Sequence, residues 1–339
     1  MKTMRIAMIG QKGVPTLYGG IERHVEDLSR ELVKQGHEVL AYARSWYTPE
    51  TIKEFAGIKI IHTRGIRSKH LDAISHTITA TVHAIKQKVD VIHYHGVGPA
   101  LLSWIPRVFA PEIKIITTFH CIDRYHQKWG TLAKLALSAG EWAACNFADE
   151  TIAVSRTIQN YCFNEFQKTT TYIPNGVTSA EYPTGADSIR YWKLEPNKYL
   201  VMVARLVKHK GAHYLVDAWK LAKKQNPDLM KDYKLAIVGD SVFTDDYVTG
   251  LKKMAENDDS IVFTGWKHNQ ALTELFANAK MMVHPSENEG MSLSVLRAMS
   301  MGKPVLASDI PEQQELINDK KFLFANANIH SLANKILEL

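Results

Sequence analysis

Several stretches of this 339-residue chain combine reactive side chains with a spacing that could serve chemistry. In Val203-Ala204-Arg205-Leu206-Val207-Lys208-His209-Lys210-Gly211, an Arg and a Lys stand five residues apart at a strand end, just before an amphipathic helix. A planar guanidinium and a compact ammonium can converge there on a phosphate or diphosphate; a solvated loop is the plainer reading. The run from His284 to Val305 reads as strand, acidic loop, helix, Gly stop and strand. The helix start at Gly290, Met291, Ser292 and Leu293 offers backbone N–H groups to an anion. Glu289 beside it can accept hydrogen bonds from hydroxyl groups. Met299 and Met301 read as core filler.

The first half carries sparser signals. His120, in Thr117-Thr118-Phe119-His120-Cys121-Ile122-Asp123, falls at the carboxyl end of a strand, where a neutral imidazole can donate or accept a hydrogen bond. Among 15 histidines a satisfied interior one is the ordinary alternative. His93 and His95 form an HxH pair that hints at a metal, but no third ligand of matching spacing follows. Gly10 to Glu22 lacks the GxGxxG dinucleotide fingerprint. Its Gly19-Gly20 pair, opening a helix, lets backbone amides approach an anion, and a tight turn explains the pair equally well. Asn175-Gly176 after Pro174 reads first as a turn.

Strand–helix alternation positions these groups. The first half predicts strands at Arg5–Gly10, Glu38–Arg44, Ile58–His62, Val89–His95, Ile113–His120, Glu150–Ser155 and Thr170–Ile173. Helical patterns lie at Gly20–Gln35, Lys69–Lys88, Pro99–Phe109, Leu132–Phe147 and Ser155–Phe166. The second half predicts strands at Tyr199–Ala204, Leu235–Val238, Ile261–Thr264, Met281–His284, Val305–Ala307 and Phe322–Phe324. Its helices fall at Ala212–Gln225, Tyr247–Asn257, Gln270–Ala277, Leu293–Met301 and Glu312–Asn318. This is α/β, two Rossmann-like doubly wound parallel sheets in tandem. Val177–Asn197, with Pro183, Gly185 and Pro196, reads as the linker, giving domains 1–180 and 181–339. Ligands of such sheets bind at the strands' carboxyl ends, and two domains facing each other make a cleft.

Composition bounds the function. With 45% hydrophobic and 22% charged residues the chain is an ordinary globular protein. No apolar run reaches the roughly 18–20 residues of a membrane span, and the N-terminal stretch is too short in apolar residues for a signal peptide. Three cysteines without CxxC spacing fit a reducing cytoplasm. Residues 1–180 hold 21 Lys+Arg against 15 Asp+Glu, so the whole net charge of +6 lies there. That is a solvated basic surface, or one that meets lipid headgroups at the inner face of the cell membrane. No basic run with interleaved aromatics suggests nucleic acid.

Together the Gly19-Gly20 loop, His120, Pro174-Asn175-Gly176, Arg205 with Lys210-Gly211, and Ser286–Gly302 resemble family 4 glycosyltransferases of the GT-B fold over nearly the whole chain. Gly10-Gln11-Lys12-Gly13-Val14-Pro15 with Tyr18-Gly19-Gly20-Ile21-Glu22 and Thr118-Phe119-His120-Cys121-Ile122-Asp123 is similar to a bacterial and archaeal branch linked to surface-polysaccharide assembly. The resemblance implies a retaining, hexosyltransferase-type enzyme without a protein nucleophile. Its first domain takes a glycan or lipid-linked acceptor, with Asp123 and Asn175 on the acceptor side. Its second takes a UDP-, GDP- or dTDP-sugar and needs no further cofactor. Arg205 and Lys210 would hold the donor diphosphate and neutralise the leaving group. Glu289 would contact sugar hydroxyls, the amides of Gly290, Met291 and Ser292 sugar or phosphate, and Gly19-Gly20 the diphosphate. His120 would sit by the sugar and orient it or stabilise developing positive charge. The absence of Asp-x-Asp fits metal-independent transfer. Two departures stand out. Arg297 occupies the place of a second Glu that accepts from the ribose hydroxyls, and Arg cannot accept. The chain also stops at Leu339, before the helix that crosses back in relatives. Alternatives are a catalytically impaired binding protein of this fold and a nucleotide-sugar epimerase of the same build.

Overall fold

A computed structural model describes residues 2–68, 71–122, 124, 130–178, 185–241 and 244–338. Two compact units, Met1–Asn175 and Gly176–Leu339, divide the chain a few residues before the expected boundary.

The first unit's strands are β1 (Arg5–Ile9), β2 (Glu38–Ala43), β3 (Glu54–Phe55), β4 (Ile58–His62), β5 (Val91–His95), β6 (Lys114–Phe119), β7 (Glu150–Ala153) and β8 (Thr171–Tyr172). They form one sheet in the order β3-β4-β2-β1-β5-β6-β7-β8. Every pairing is parallel except β3 with β4. Its helices are α1 (Gly20–Lys34), α2 (Asp72–Lys86), α3 (Val97–Ala100), α4 (Trp104–Phe109), α5 (Thr131–Asn146) and α6 (Arg156–Phe166). Both faces of the sheet are covered: Ala7 and Ile9 of β1 enter one apolar cluster, Ile6 and Met8 the other. This is why its strands read as continuous apolar runs.

The second unit repeats the plan with β9 (Tyr199–Val203), β10 (Lys234–Val238), β11 (Ile261–Gly265), β12 (Met281–His284), β13 (Val305–Ser308) and β14 (Leu323–Phe324). The order is β11-β10-β9-β12-β13-β14, all parallel. Its helices are α7 (Asp187–Arg190), α8 (Ala212–Gln225), α9 (Pro227–Met230), α10 (Asp245–Met254), α11 (Asn269–Ala277), α12 (Leu293–Ser300), α13 (Pro311–Gln314) and α14 (Ile329–Glu338). Leu200 and Met202 of β9 pack on one side, Tyr199 and Val201 on the other. No helix among the described residues is long and apolar enough to cross a membrane.

Several expectations need correction. The stretch expected to be a linker holds α7, and Ile189 and Leu194 are buried in the second unit's core. The Glu274 carboxylate accepts from Ser188 N at 2.7 Å and fastens α7 to α11. The single helix expected at Pro99–Phe109 is two: Pro99 and Pro106 each sit third in a short helix, where no intrahelical N–H is needed. The expected Glu312–Asn318 helix is the one-turn α13. The edge strand β3 was not expected. It turns into β4 through Ala56 (φ 51°) and Gly57 (φ 80°), a two-residue hairpin with positive φ at both positions.

In each sheet the chain reverses its direction of winding once, between β1 and β5 and between β9 and β12. Loops diverge at such a point and leave a crevice at the carboxyl ends. Gly19, Arg205, Lys210 and Glu289 lie on loops that leave β1, β9 and β12, whereas His120 follows β6, Asn175 follows β8 and Arg297 lies in α12.

Candidate functional site

In the second unit the loop after β9 and the loop after β12 are stitched together. Glu287 N donates to His209 O at 2.8 Å, and Ser286 Oγ to the same carbonyl at 3.2 Å. Ser308 Oγ donates to Ser286 O. Gly211 is left-handed (φ +73°), and a Cβ there would collide with the Pro285 carbonyl oxygen, so only Gly lets the two loops meet.

This contact places Lys210 against Glu289, two residues read as donor contacts from opposite ends of the unit. Lys210 Nζ lies 2.5 Å from Glu289 Oε1, and His284 Nε2 lies 2.7 Å from the same oxygen. Glu289 is 8% exposed and His284 1%. Burial alone would push the Glu289 carboxyl up; the Lys210 charge and the His284 hydrogen bond more than offset it and hold Glu289 well below the usual range. Glu289 is therefore a carboxylate at neutral pH. Nearby Glu312 moves the other way. Burial, aided by the Glu289 charge, raises it to about 7.

The other second-unit candidates lie as follows. Gly290, Met291 and Ser292 are buried, and Ser292 caps α12 through Oγ to Val295 N. Arg205 is half-buried, and among the described residues its side chain has no ion-pair partner. Arg297 is half-buried. Its Nη2 donates to Thr273 Oγ1 at 2.8 Å, and its guanidinium lies 5.8 Å from the Phe276 ring centre.

In the first unit Gly19 is the N-cap of α1 (φ 109°), and a Cβ there would strike the Glu22 carboxylate. Glu22 Oε1 accepts from Lys12 N and Lys12 Nζ, both at 3.1 Å. Burial raises Glu22, but the Lys12 charge and these bonds lower it overall. The Gly10–Gly20 loop is thus anchored through a side chain on α1 itself.

His120 follows β6 and is buried. Its Nε2 lies 3.3 Å from Nδ1 of His95, the last residue of β5. His24, on α1, stacks edge-on to His120 with ring centres 4.8 Å apart. His120, read from the sequence, thus packs against His24, which was not. Burial is the main force on all three rings: it pushes His24 down to about 4, and His95 and His120 well below their usual value. They are neutral imidazoles at pH 7. His93 is separate: its Nε2 lies 2.7 Å from Thr118 Oγ1. Asp123 lies outside the described residues.

Comparison with known proteins settles the family. The profile of Glycosyltransferase Family 4 matches residues 18–181, and that of Glycosyl transferases group 1 matches residues 188–339. The chain belongs to the family 4 glycosyltransferases. An uncharacterised glycosyltransferase of Methanocaldococcus jannaschii is 25% identical, over 93% of this chain and 83% of that protein. The O-antigen chain mannosyltransferase C of Escherichia coli is 22% identical, over 94% of this chain and 83% of its own. The crystal structure of Anabaena HepE with UDP and glucose shares the fold (TM-score 0.78, 23% identity, 98% of this chain and 89% of that one). This family 4 glycosyltransferase is a GT-B protein whose two Rossmann-like units are those read from the sequence, and it uses a nucleotide sugar.

Proposed function

We propose that the chain is a retaining, metal-independent hexosyltransferase of surface-polysaccharide assembly, with the donor nucleotide on the second unit and the acceptor on the first. The observation that carries this reading is the Lys210–Glu289 pair at the β9/β12 switch point, with Arg205 earlier on the same loop as Lys210 and without an ion-pair partner among the described residues. Lys210 spends one of its three donors on Glu289 and keeps the others for a phosphate. Arg205 adds a fork for the diphosphate. Together they neutralise charge as the nucleoside diphosphate leaves. Both partners of Glu289 engage Oε1, which leaves Oε2 to accept from sugar hydroxyls. A carboxylate held this firmly by a cation is a poor nucleophile, and that supports front-face attack with retention. Amides of Gly290, Met291 and Ser292 meet sugar or phosphate, those of Gly19 and Gly20 the diphosphate. His120 orients the sugar, and Asn175 with Asp123 serves the acceptor side. UDP is the donor nucleotide to try first, because HepE is crystallised with UDP and glucose; GDP and dTDP follow.

The acceptor is a glycan, lipid-linked at the inner face of the cell membrane. Support comes from the +6 charge in the first half and from Trp104, Val108, Phe109, Leu135 and Trp142, all exposed on α4 and α5. Failure to co-sediment with anionic liposomes at low salt would remove the membrane part of the reading. The transfer itself is tested with purified protein, UDP-, GDP- and dTDP-sugars and a lipid-linked glycan. NMR of the product must show the donor's anomeric configuration, with and without EDTA. Inversion or an absolute EDTA block contradicts it.

A further inference from the structure

His24, His95 and His120 come from three separate elements, α1, the end of β5 and the residue after β6. One ring nitrogen of each lies within 4.8 Å of the other two. His24 Nε2 is buried without a hydrogen-bond partner. His95 Nδ1 and His120 Nε2 face each other at 3.3 Å.

The surroundings set the tautomers. His95 Nε2 lies 3.4 Å from Met8 Sδ, and a thioether can only accept, so Nε2 carries the proton. The Nδ1 lone pair of His95 then faces the cluster. His93 stacks against His95 with ring centres 4.1 Å apart and fixes its plane, while the His24 ring packs edge-on against both His95 and His120. Such outer contacts orient ligating imidazoles. Burial keeps all three rings neutral, the state that binds a metal. Tetrahedral coordination at about 2.0–2.1 Å places ligand nitrogens roughly 3.3–3.4 Å apart. The His95–His120 pair already has that separation, and His24 needs only a small ring movement. A water completes four ligands.

We propose that His24 Nε2, His95 Nδ1 and His120 Nε2 form a binding site for a transition-metal dication, with Zn2+ as the type case, whose occupation withdraws His120 from the sugar and inhibits transfer. The proton on His120 Nε2 shifts to Nδ1 as the metal binds, so no net proton is released. The metal site stands on the cluster alone; its inhibitory effect rests on the placement of His120 proposed above.

The test is calorimetric titration of the chelator-stripped full chain with ZnCl2 alone, in parallel with MgCl2. One Zn2+ is expected per chain, with no Mg2+ binding. His24→Gln and His95→Gln should each weaken Zn2+ at least tenfold, and His330→Gln, at an exposed position, should not. Absence of one-to-one Zn2+ binding, or equal affinity in the His24 and His95 variants, overturns the site. Should those variants fail to fold, CoCl2 titration of the unaltered chain decides: intense tetrahedral ligand-field bands support the site and octahedral spectra overturn it. Sugar transfer should fall with Zn2+ occupancy in the same concentration range; unchanged turnover at full occupancy overturns the inhibition. Failure to bind any nucleotide would refute the proposed function and leave the Zn2+ titration untouched.

Discussion

Lys210→Ala should destabilise the second unit before any question of catalysis arises. The substitution leaves Glu289, 8% exposed, without the cation that faces it at 2.5 Å. Breaking a buried pair by removing one partner costs about 3–5 kcal/mol, because the other charge stays buried. For a domain of this size each kcal/mol lowers Tm by about 2–4 °C, so a fall of roughly 6–20 °C is expected at pH 7. The sign follows from Glu289. Its folded pKa is depressed below the ordinary 4.5, so its stabilisation is present above that value and is lost as pH falls through the depressed one. In the variant, burial unopposed by Lys210 raises the same carboxyl, so it protonates earlier and shed charge caps its penalty. The gap between the proteins should therefore narrow steadily from pH 7 to pH 4. Lys210→Ala with Glu289→Gln should regain part of the loss, since no bare carboxylate remains. Differential scanning calorimetry across this range checks it. A Tm within 2 °C of the parent at pH 7, or a gap that widens on acidification, would refute the argument.

Other outcomes follow from the same geometry. Arg205→Ala should leave Tm nearly unchanged, because the side chain has no ion-pair partner among the described residues, yet weaken nucleotide binding about tenfold or more by calorimetry. Gly211→Ala should cost about 1–3 kcal/mol from backbone strain at φ +73°, plus the collision with Pro285, read as a lower urea midpoint. Glu312 carries a raised pKa of about 7, so its ionisation destabilises the fold as pH climbs from about 4.5 to 7; Glu312→Gln should flatten that part of the stability–pH curve. His120→Ala should lower kcat by about a hundredfold or more, as expected for loss of a group that positions the reacting sugar.

Much of this was legible because chemistry in a doubly wound sheet sits where strands end. Arg205, Lys210 and Glu289 follow β9 and β12 directly, and the linear sequence already marks those ends with Gly211 and Gly290. What no local pattern could show is that β9 and β12 are neighbours, which makes Lys210 and Glu289 partners. His24 escaped notice for the same reason. It lies on an amphipathic helix with no motif of its own, and only the β1/β5 crossover brings α1 beside β5 and β6. HxH at His93 and His95 looked for a third ligand further along the chain, whereas it comes from before and after. His93 and His95, two apart on β5, share a face and lie with ring centres 4.1 Å apart, but His93 turns its Nε2 to Thr118 while His95 meets His120. Short elements were hidden by composition. The Ala56-Gly57 turn lacks the usual Asn or Asp, and α7 lies in a stretch with Pro and Gly nearby that reads as linker. The contacts of Arg297 with Thr273 and Phe276, more than twenty residues away in sequence, were likewise not visible in any local pattern.

The central claim is that Arg205 and Lys210 mark a diphosphate site on the second unit. Isothermal titration of the full chain with UDP, GDP and dTDP tests it most directly, run alongside Arg205→Ala. One nucleotide binding at a single site, and at least tenfold weaker in the variant, is the expected result. No binding by any of the three, or equal affinity in Arg205→Ala, would contradict it.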